Sequence, residues 1–164
     1  MDKQQKIILV ILGALIIALL VAVIAVSLLE KEPDIGEFVP PSFEVNAQKG
    51  MPQTFPESFG TMTVRPGFVI GMCAAPLLEG SSLDLCFTSP ETNTVWMKVR
   101  VYDEAGNQLG ESGLLKPGEH LATLVLADVP QKTEKLVAIV LSYEPDTYYS
   151  EGSVKVELKS HTAE

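Results

Sequence analysis

The run VWMKVRVY, residues 95–102, decides the fold of most of this 164-residue chain. Its odd positions hold Val, Met, Val and Val, and its even positions hold Trp, Lys, Arg and Tyr. Side chains that alternate with a period of two point to opposite faces of a β-strand. The run therefore predicts a strand that buries its valine face and presents an aromatic and basic face.

Short alternating runs of the same kind continue on both sides of this strand. They are Val69–Ala74, Ser82–Thr88, Gln108–Leu115, His120–Leu126, Leu136–Tyr143 and Ser153–Leu158. Turn residues separate them, and no helical period of useful length appears after Leu29. About seven short strands at regular spacing predict an all-β, antiparallel two-sheet β-sandwich over residues 61–160.

Two turns carry a more specific expectation. Gly106 lies in the segment 103–107 and Gly118 lies in the segment 116–119, where Pro117 precedes it. Both glycines occupy turn positions that favour a left-handed backbone. We expect both to have positive φ.

The N-terminal segment 7–29 has 23 positions without a charge, and 17 of them are Leu, Ile or Val. As a helix it would reach about 34 Å, which exceeds the hydrocarbon core of about 30 Å. A helix buried in the core of a soluble domain is one alternative, but no face of this segment is polar. A cleaved signal peptide ending near Ala25-Val26-Ser27 is the other alternative, but the apolar run is longer than such peptides use. The segment predicts one transmembrane helix that contacts the lipid bilayer.

Charges on the two sides of this segment predict its orientation. Lys3 and Lys6 precede it, whereas Glu30, Glu32 and Asp34 follow it, with Lys31 as the one basic residue among them. Positive charge stays on the cytoplasmic side of a membrane. Residues 1–6 are therefore expected in the cytoplasm, and the C-terminal domain is expected outside the cell membrane.

The segment 30–60 contains five prolines and reads as a tether between the membrane and the sandwich. Repeated proline favours extended backbone. Phenylalanines within it indicate that parts of the tether dock on the domain. Residues 161–164 read as a tail.

The charge of the chain limits its partners. From Glu30 onward there are 20 acidic and 10 basic residues, and the whole chain carries −9. This sign argues against nucleic acid, which attracts Lys and Arg. No cofactor or nucleotide motif, serine-hydrolase elbow, zinc spacing or calcium loop occurs in the sequence.

Several motifs resemble a known group of proteins. They are the strand and turn 95–103 with Gly106, the segment 112–118, the triplet 143–145 and the triplet 152–154. Together they resemble small uncharacterised bacterial proteins that have one N-terminal anchor and an extracytoplasmic immunoglobulin-like domain. The resemblance covers about residues 82–158 and implies an immunoglobulin-like sandwich and a place in the cell envelope. It implies no catalytic residue. Both cysteines precede Trp96, whereas immunoglobulin cysteines flank the tryptophan.

The aromatic and basic face of the central strand is the first candidate partner-binding site. It comprises Trp96, Lys98, Arg100 and Tyr102. The alternative is that the aromatics pack under a loop or the tether while Lys98 and Arg100 pair with local acids. A second candidate is a predicted loop that holds Tyr148 and Tyr149.

Cys73 and Cys86 are the two cysteines of the chain. A hairpin that reverses near Glu79-Gly80 would place them opposite each other, and a second pair would be 76 with 83. Outside the cytoplasm such a pair can form a disulfide. The alternative is two buried thiols. A Cys86–His120 nucleophile is compatible with the spacing but lacks the surroundings of a cysteine enzyme.

Ala14, Ala18 and Ala22 follow each other at intervals of four and predict a helix–helix contact in the membrane.

The sequence as a whole favours a non-enzymatic, membrane-tethered binding or assembly module with a protein partner in the cell envelope. The alternative is a carbohydrate or cell-wall glycan binder that uses exposed aromatics.

Overall fold

The computed structural model describes residues 2–29, 38–64, 67–130 and 135–162, without the side chains of 6–11 and 23–29. The chain divides into two compact units, Met1–Val39 and Pro40–Glu164. Residues 40–60 belong to the second unit, and residues 30–37 lie outside the described part.

In the described residues of the first unit, one helix, α1, spans Lys3–Leu29. Its start is capped, because Lys3 N–H donates to Asp2 Oδ1 over 2.7 Å and Asp2 N–H donates to Gln5 Oε1 over 3.2 Å. Such reciprocal bonds satisfy amides that lack partners within the helix. Within the described residues no helix has the length and apolar content that crossing a membrane requires. Of the predicted segment 7–29, the side chains of 7–11 and 23–29 lie outside that part.

The second unit is built from strands. In the described residues these are β1 (Gln48–Lys49), β2 (Phe59–Val64), β3 (Phe68–Cys73), β4 (Leu77–Glu79), β5 (Ser82–Leu83), β6 (Phe87–Ser89), β7 (Trp96–Tyr102), β8 (Gln108–Glu111), β9 (Glu119–Leu121), β10 (Leu124–Val125), β11 (Lys135–Tyr143), β12 (Ser150–Lys159) and β13 (His161–Thr162). The fold is predominantly β, as the sequence predicts.

The strands form three sheets in the described residues. Sheet 1 has the order β1-β9-β6-β3-β2, sheet 2 has the order β10-β5-β4-β13, and sheet 3 has the order β12-β11-β7-β8. Neighbouring strands are antiparallel except β13, which pairs parallel with β4. Residues 161–162 of the predicted tail are therefore part of a sheet.

One buried apolar core joins residues of all three sheets, with Leu78, Leu83 and Leu124 contributed by sheet 2. Phe68, Ile70 and Phe87 of sheet 1 and Val99 and Val101 of sheet 3 are at most 2% exposed. The alternation of residues 95–102 thus predicts the buried face of β7 correctly. Burial of such side chains is the main favourable contribution to folding.

The two glycine turns are confirmed. Gly106 has φ 88° and Gly118 has φ 78°. Glu119 N–H donates to the carbonyl of Lys116 over 3.1 Å, which closes the second turn. Glycine suits both positions because it has no Cβ to clash in the left-handed region.

The predicted strand Ser82–Thr88 is instead two strands, β5 and β6. Cys86, immediately before β6, has φ 47°, which turns the backbone and interrupts the ladder. Gly71 pairs with Thr88 in the predicted register, and Glu79 pairs with Ser82 across the predicted reversal. The predicted pair of residues 76 and 83 is wrong, because Leu83 pairs with Leu78.

Candidate functional site

The outer face of β7 carries the four residues that the sequence selects. Trp96, Arg100 and Tyr102 are half-buried, whereas Lys98 is only 6% exposed. β7 lies between β11 and β8, so its outward side chains have neighbours on both sides. Lys98 is therefore covered, although its position in the sequence pattern predicts exposure.

Glu111 of β8 neutralises the basic part of this face. Its Oε2 lies 3.1 Å from Lys98 Nζ and 2.9 Å from Arg100 Nε. Burial alone would raise the pKa of Glu111, but hydrogen bonds and charge from Lys98 and Arg100 outweigh it and hold that pKa below its usual range. The basic part of this face, Lys98 and Arg100, is therefore in a local ion-pair network with Glu111, which the alternative interpretation predicts.

Trp96 belongs to an aromatic cluster. Its ring centroid lies 4.8 Å from that of Phe43 and 5.3 Å from that of Tyr148, both in edge-to-face geometry. Lys116 Nζ lies 4.3 Å above the centre of the Phe43 ring. The structure thus brings Trp96 and Tyr148 together, although the sequence assigns them to separate sites. Trp96 packs beneath the segment that precedes β1, and it is not an open platform.

The turn between β11 and β12 holds Tyr148 against Trp96. Asp146 has φ 69° and Tyr148 has φ 59°, although neither residue is glycine. Glu144 N–H donates to the carbonyl of Tyr149, and Thr147 Oγ1 donates to Glu144 Oε2 over 2.7 Å. Tyr149 remains 74% exposed. The turn therefore presents one tyrosine and packs the other.

An apolar column on the outer face of β11 is a feature that sequence reasoning missed. Val137, Ile139, Leu141 and Tyr143 alternate with buried residues and are themselves half-buried. Ile139 lies between Arg100 of β7 and Lys155 of β12 in the ladder. The signal was present in the sequence, because residues 136–141 are apolar at both odd and even positions whereas a solvated face would be polar.

Both cysteines are thiols in the structure, and both are buried. Ser58 Oγ lies 2.7 Å from Cys73 Sγ. Burial, then Cys73 and then Asp84 raise the pKa of Cys86. The bridge between the two cysteines stays a prediction for the protein in an oxidising compartment.

Cys86 lines a cleft of about 540 Å³ together with His120 and Asp84. A nucleophilic cysteine needs a lowered pKa, usually from a cationic neighbour. The pKa of Cys86 is raised, mainly by burial, which is opposite to the shift that activates a cysteine nucleophile. Among the residues that the structure describes, no group of three or more His, Cys, Asp or Glu is placed to hold a metal ion.

Ala14, Ala18 and Ala22 lie in α1 and are exposed within the chain. Their contact with another helix stays a prediction.

No protein-family model matches the chain, and no curated protein matches it at a significant level.

Proposed function

We propose that this chain is a membrane-tethered binding or assembly module, non-enzymatic, whose β unit binds a protein partner outside the cell membrane. The anchor is the segment 7–29, which is uncharged over 23 residues. The orientation rests on the lysines before it and the acidic residues after it.

The fold that we propose for the second unit is an immunoglobulin-like sandwich of sheets 1 and 3. Its support is the core that side chains of both sheets share. The resemblance of residues 82–158 to anchored bacterial proteins with such domains points the same way.

The apolar column on β11 is the observation that carries the proposed binding role. An antiparallel sheet that faces water on one side normally places polar side chains there. Here the outward positions 137, 139, 141 and 143 are apolar or aromatic, and charged residues border them on β7 and β12. An apolar centre with a charged border is the usual anatomy of a protein–protein interface.

A site-specific photocrosslinker tests this role in the full-length protein in its own membrane. The crosslinker replaces Ile139 in one variant and Val125 of β10, an exposed apolar residue, in the control. We expect a discrete adduct from position 139 only. The adduct should disappear when Leu141→Glu is added, provided that the variant melts at the wild-type temperature. Equal adducts from both positions, or none from position 139, would refute the binding role of this face.

A further inference from the structure

A second surface, separate from the face of sheet 3, is the cleft that contains His120. It lies in the unit Pro40–Glu164 between the connection from β1 to β2 and the segments around β5, β6 and β9. Its volume of about 540 Å³ lies within the range of 300–1,000 Å³ that is usual for small-ligand sites.

The polar groups of the cleft are oriented by bonds within the protein. His120 is 5% exposed, and its Nδ1 lies 2.7 Å from the carbonyl oxygen of Gly50. A carbonyl only accepts, so Nδ1 carries the hydrogen of this bond and Nε2 lies outside it. Thr123 Oγ1 donates to Asp84 Oδ1 over 2.9 Å, which fixes the carboxylate and leaves Oδ2 outside that bond.

An aromatic ring forms another part of the wall. Phe55 is 49% exposed, and its ring centroid lies 4.6 Å from that of Phe59. The ring of Phe59 packs over Gly71, where a Cβ would lie only 2.7 Å from Phe59 Cζ. Phe55 is thus supported by Phe59 and still offers about half of its surface to solvent.

The backbone conformation of Cys86 independently favours a binding role for this wall of the cleft. Cys86 has φ 47°, in the left-handed region that is unfavourable for a residue with a Cβ. Strained residues of this kind concentrate at binding sites, where the surrounding structure holds them in place. Cys86 N–H donates to the carbonyl of Ala122 over 2.8 Å, and both residues line the cleft.

The charge of the lining narrows the class of ligand. Of the described residues that line the cleft, Asp84 is the single carboxylate and none is Lys or Arg. An anionic ligand would meet this carboxylate and a chain of net charge −9. A purely apolar ligand would offer no hydrogen bond to His120 Nε2, to Asp84 Oδ2 or to the amides of Gln48 and Gln53.

We propose that this cleft binds a neutral oligosaccharide. Its apolar C–H face would stack on Phe55, and its hydroxyl groups would donate to Asp84 Oδ2 and His120 Nε2. The side chains of Gln48 and Gln53 supply both donors and acceptors for further hydroxyl groups. This surface does not overlap the β11 column, so each proposal stands or fails by itself.

Titration of the full-length protein in detergent micelles with chitotriose and cellotriose, followed by isothermal calorimetry, tests the proposal. We expect at least one of these neutral sugars to bind, and the anionic trigalacturonate not to bind. Phe55→Ala and Asp84→Asn should each weaken binding about tenfold. Tyr149→Ala, which removes a still more exposed aromatic at another place, is the matched control and should leave binding unchanged.

Three results would overturn the proposal. One is the absence of binding by both neutral sugars up to millimolar concentration. Another is tighter binding of trigalacturonate. The third is loss of binding in Tyr149→Ala but not in Phe55→Ala, which would place the sugar at the β11–β12 turn. Because Phe55→Ala can alter packing against Phe59, Gln53→Ala serves as a milder variant and should weaken binding without lowering the melting temperature.

Discussion

Gly113 is the residue at which the segment before β1 approaches the rest of the second unit most closely. A Cβ on Gly113 would lie 2.5 Å from Glu44 N and 2.7 Å from Phe43 C. Both are backbone atoms, which cannot move aside as the end of a side chain can. The close approach thus requires glycine at this position.

Gly113→Ala should therefore lower the free energy of unfolding by about 1–3 kcal/mol, the usual cost of an extra methyl group in a packed site. Gly60→Ala is the control, because a Cβ there meets no atom within 4 Å and its φ is not positive. It should change stability by less than about 0.5 kcal/mol. Urea unfolding of both variants checks this, and equal stabilities would contradict the close approach.

Glu111 gives a prediction that depends on pH. Removal of its charge leaves Lys98, whose side chain is 7% exposed, without its partner. Glu111→Gln should lower the free energy of unfolding by about 1–2 kcal/mol at pH 7, less than for a fully buried pair because Glu111 is 41% exposed. Glu157→Gln on the outer face of β12 is the control and should have little effect.

The direction of the pH effect follows from the lowered pKa of Glu111. The folded-state pKa of such a carboxyl group is lower than its pKa in the unfolded chain. The group therefore stabilises the fold at pH values above the unfolded-state pKa, and this stabilisation is lost as the pH falls through the folded-state pKa. The difference between wild type and Glu111→Gln should shrink on acidification through the ordinary carboxyl range. A constant difference between pH 7 and pH 3 would show that the pairing is not its cause.

Cys73 and Cys86 give a prediction that concerns the cellular compartment. The register of Gly71 with Thr88 continues toward these two residues, although Cys73 N–H donates to the carbonyl of Leu85. In an oxidising compartment we expect a bridge in protein purified without reductant. Mass spectrometry after alkylation, with and without reduction, measures it. Two alkylated cysteines in the non-reduced sample would contradict the bridge.

At the scale of elements, β7 and β11 could be predicted from sequence because each is a single long run of alternating or continuous apolar residues. β1 and β2 were missed because the five prolines of residues 30–60 favour a tether. In the structure Pro52 and Pro56 lie between these two strands, where a missing N–H costs no ladder bond. The split of Ser82–Thr88 was not predictable, because its cause is the positive φ of Cys86.

The candidate sites could be predicted only in part, because their residues are distant in sequence and the fold brings them together. Sequence alternation places Lys98 on the outer face, but there it forms an ion pair with Glu111, which comes from another strand. Trp96 and Tyr148 are 52 positions apart, and the distance between them is set by the β7–β11 and β11–β12 pairings. The cleft was missed because its lining comes from residues between 48 and 123 that share no motif.

The turn between β11 and β12 contains strain that a substitution can remove. Asp146 has a left-handed backbone, and glycine adopts this conformation at lower cost. Asp146→Gly should raise the free energy of unfolding by up to about 1 kcal/mol. Tyr148→Gly relieves similar strain but removes the ring that contacts Trp96, so it should give no net gain. Thermal unfolding of both variants distinguishes them, and a gain in Tyr148→Gly alone would contradict the importance of the ring contact.

At the scale of the whole molecule, the proposed orientation predicts which residues a protease reaches. Protease added to intact cells should digest the chain beyond residue 30 and spare residues 1–6, because of the lysines before the anchor and the acids after it. Permeabilised cells provide the control for cleavage on the other side. Complete protection of the β unit on cells whose other surface proteins are digested would contradict the orientation.

The attachment of Ser42–Glu44 also determines how the β unit bears mechanical load. Any pull transmitted along the chain from residues before 40 enters the unit through this segment. Leu114 N–H donates to the carbonyl of Ser42, Glu44 N–H donates to the carbonyl of Leu114, and Gly113 N–H donates to Glu44 Oε2. Tension along the segment would act first on these three bonds, because they join it to residues 113 and 114. If a partner holds the unit at the β11 column, a pull on this segment would reach sheet 3 through residues 113–115, because Leu115 pairs with Met97 of β7.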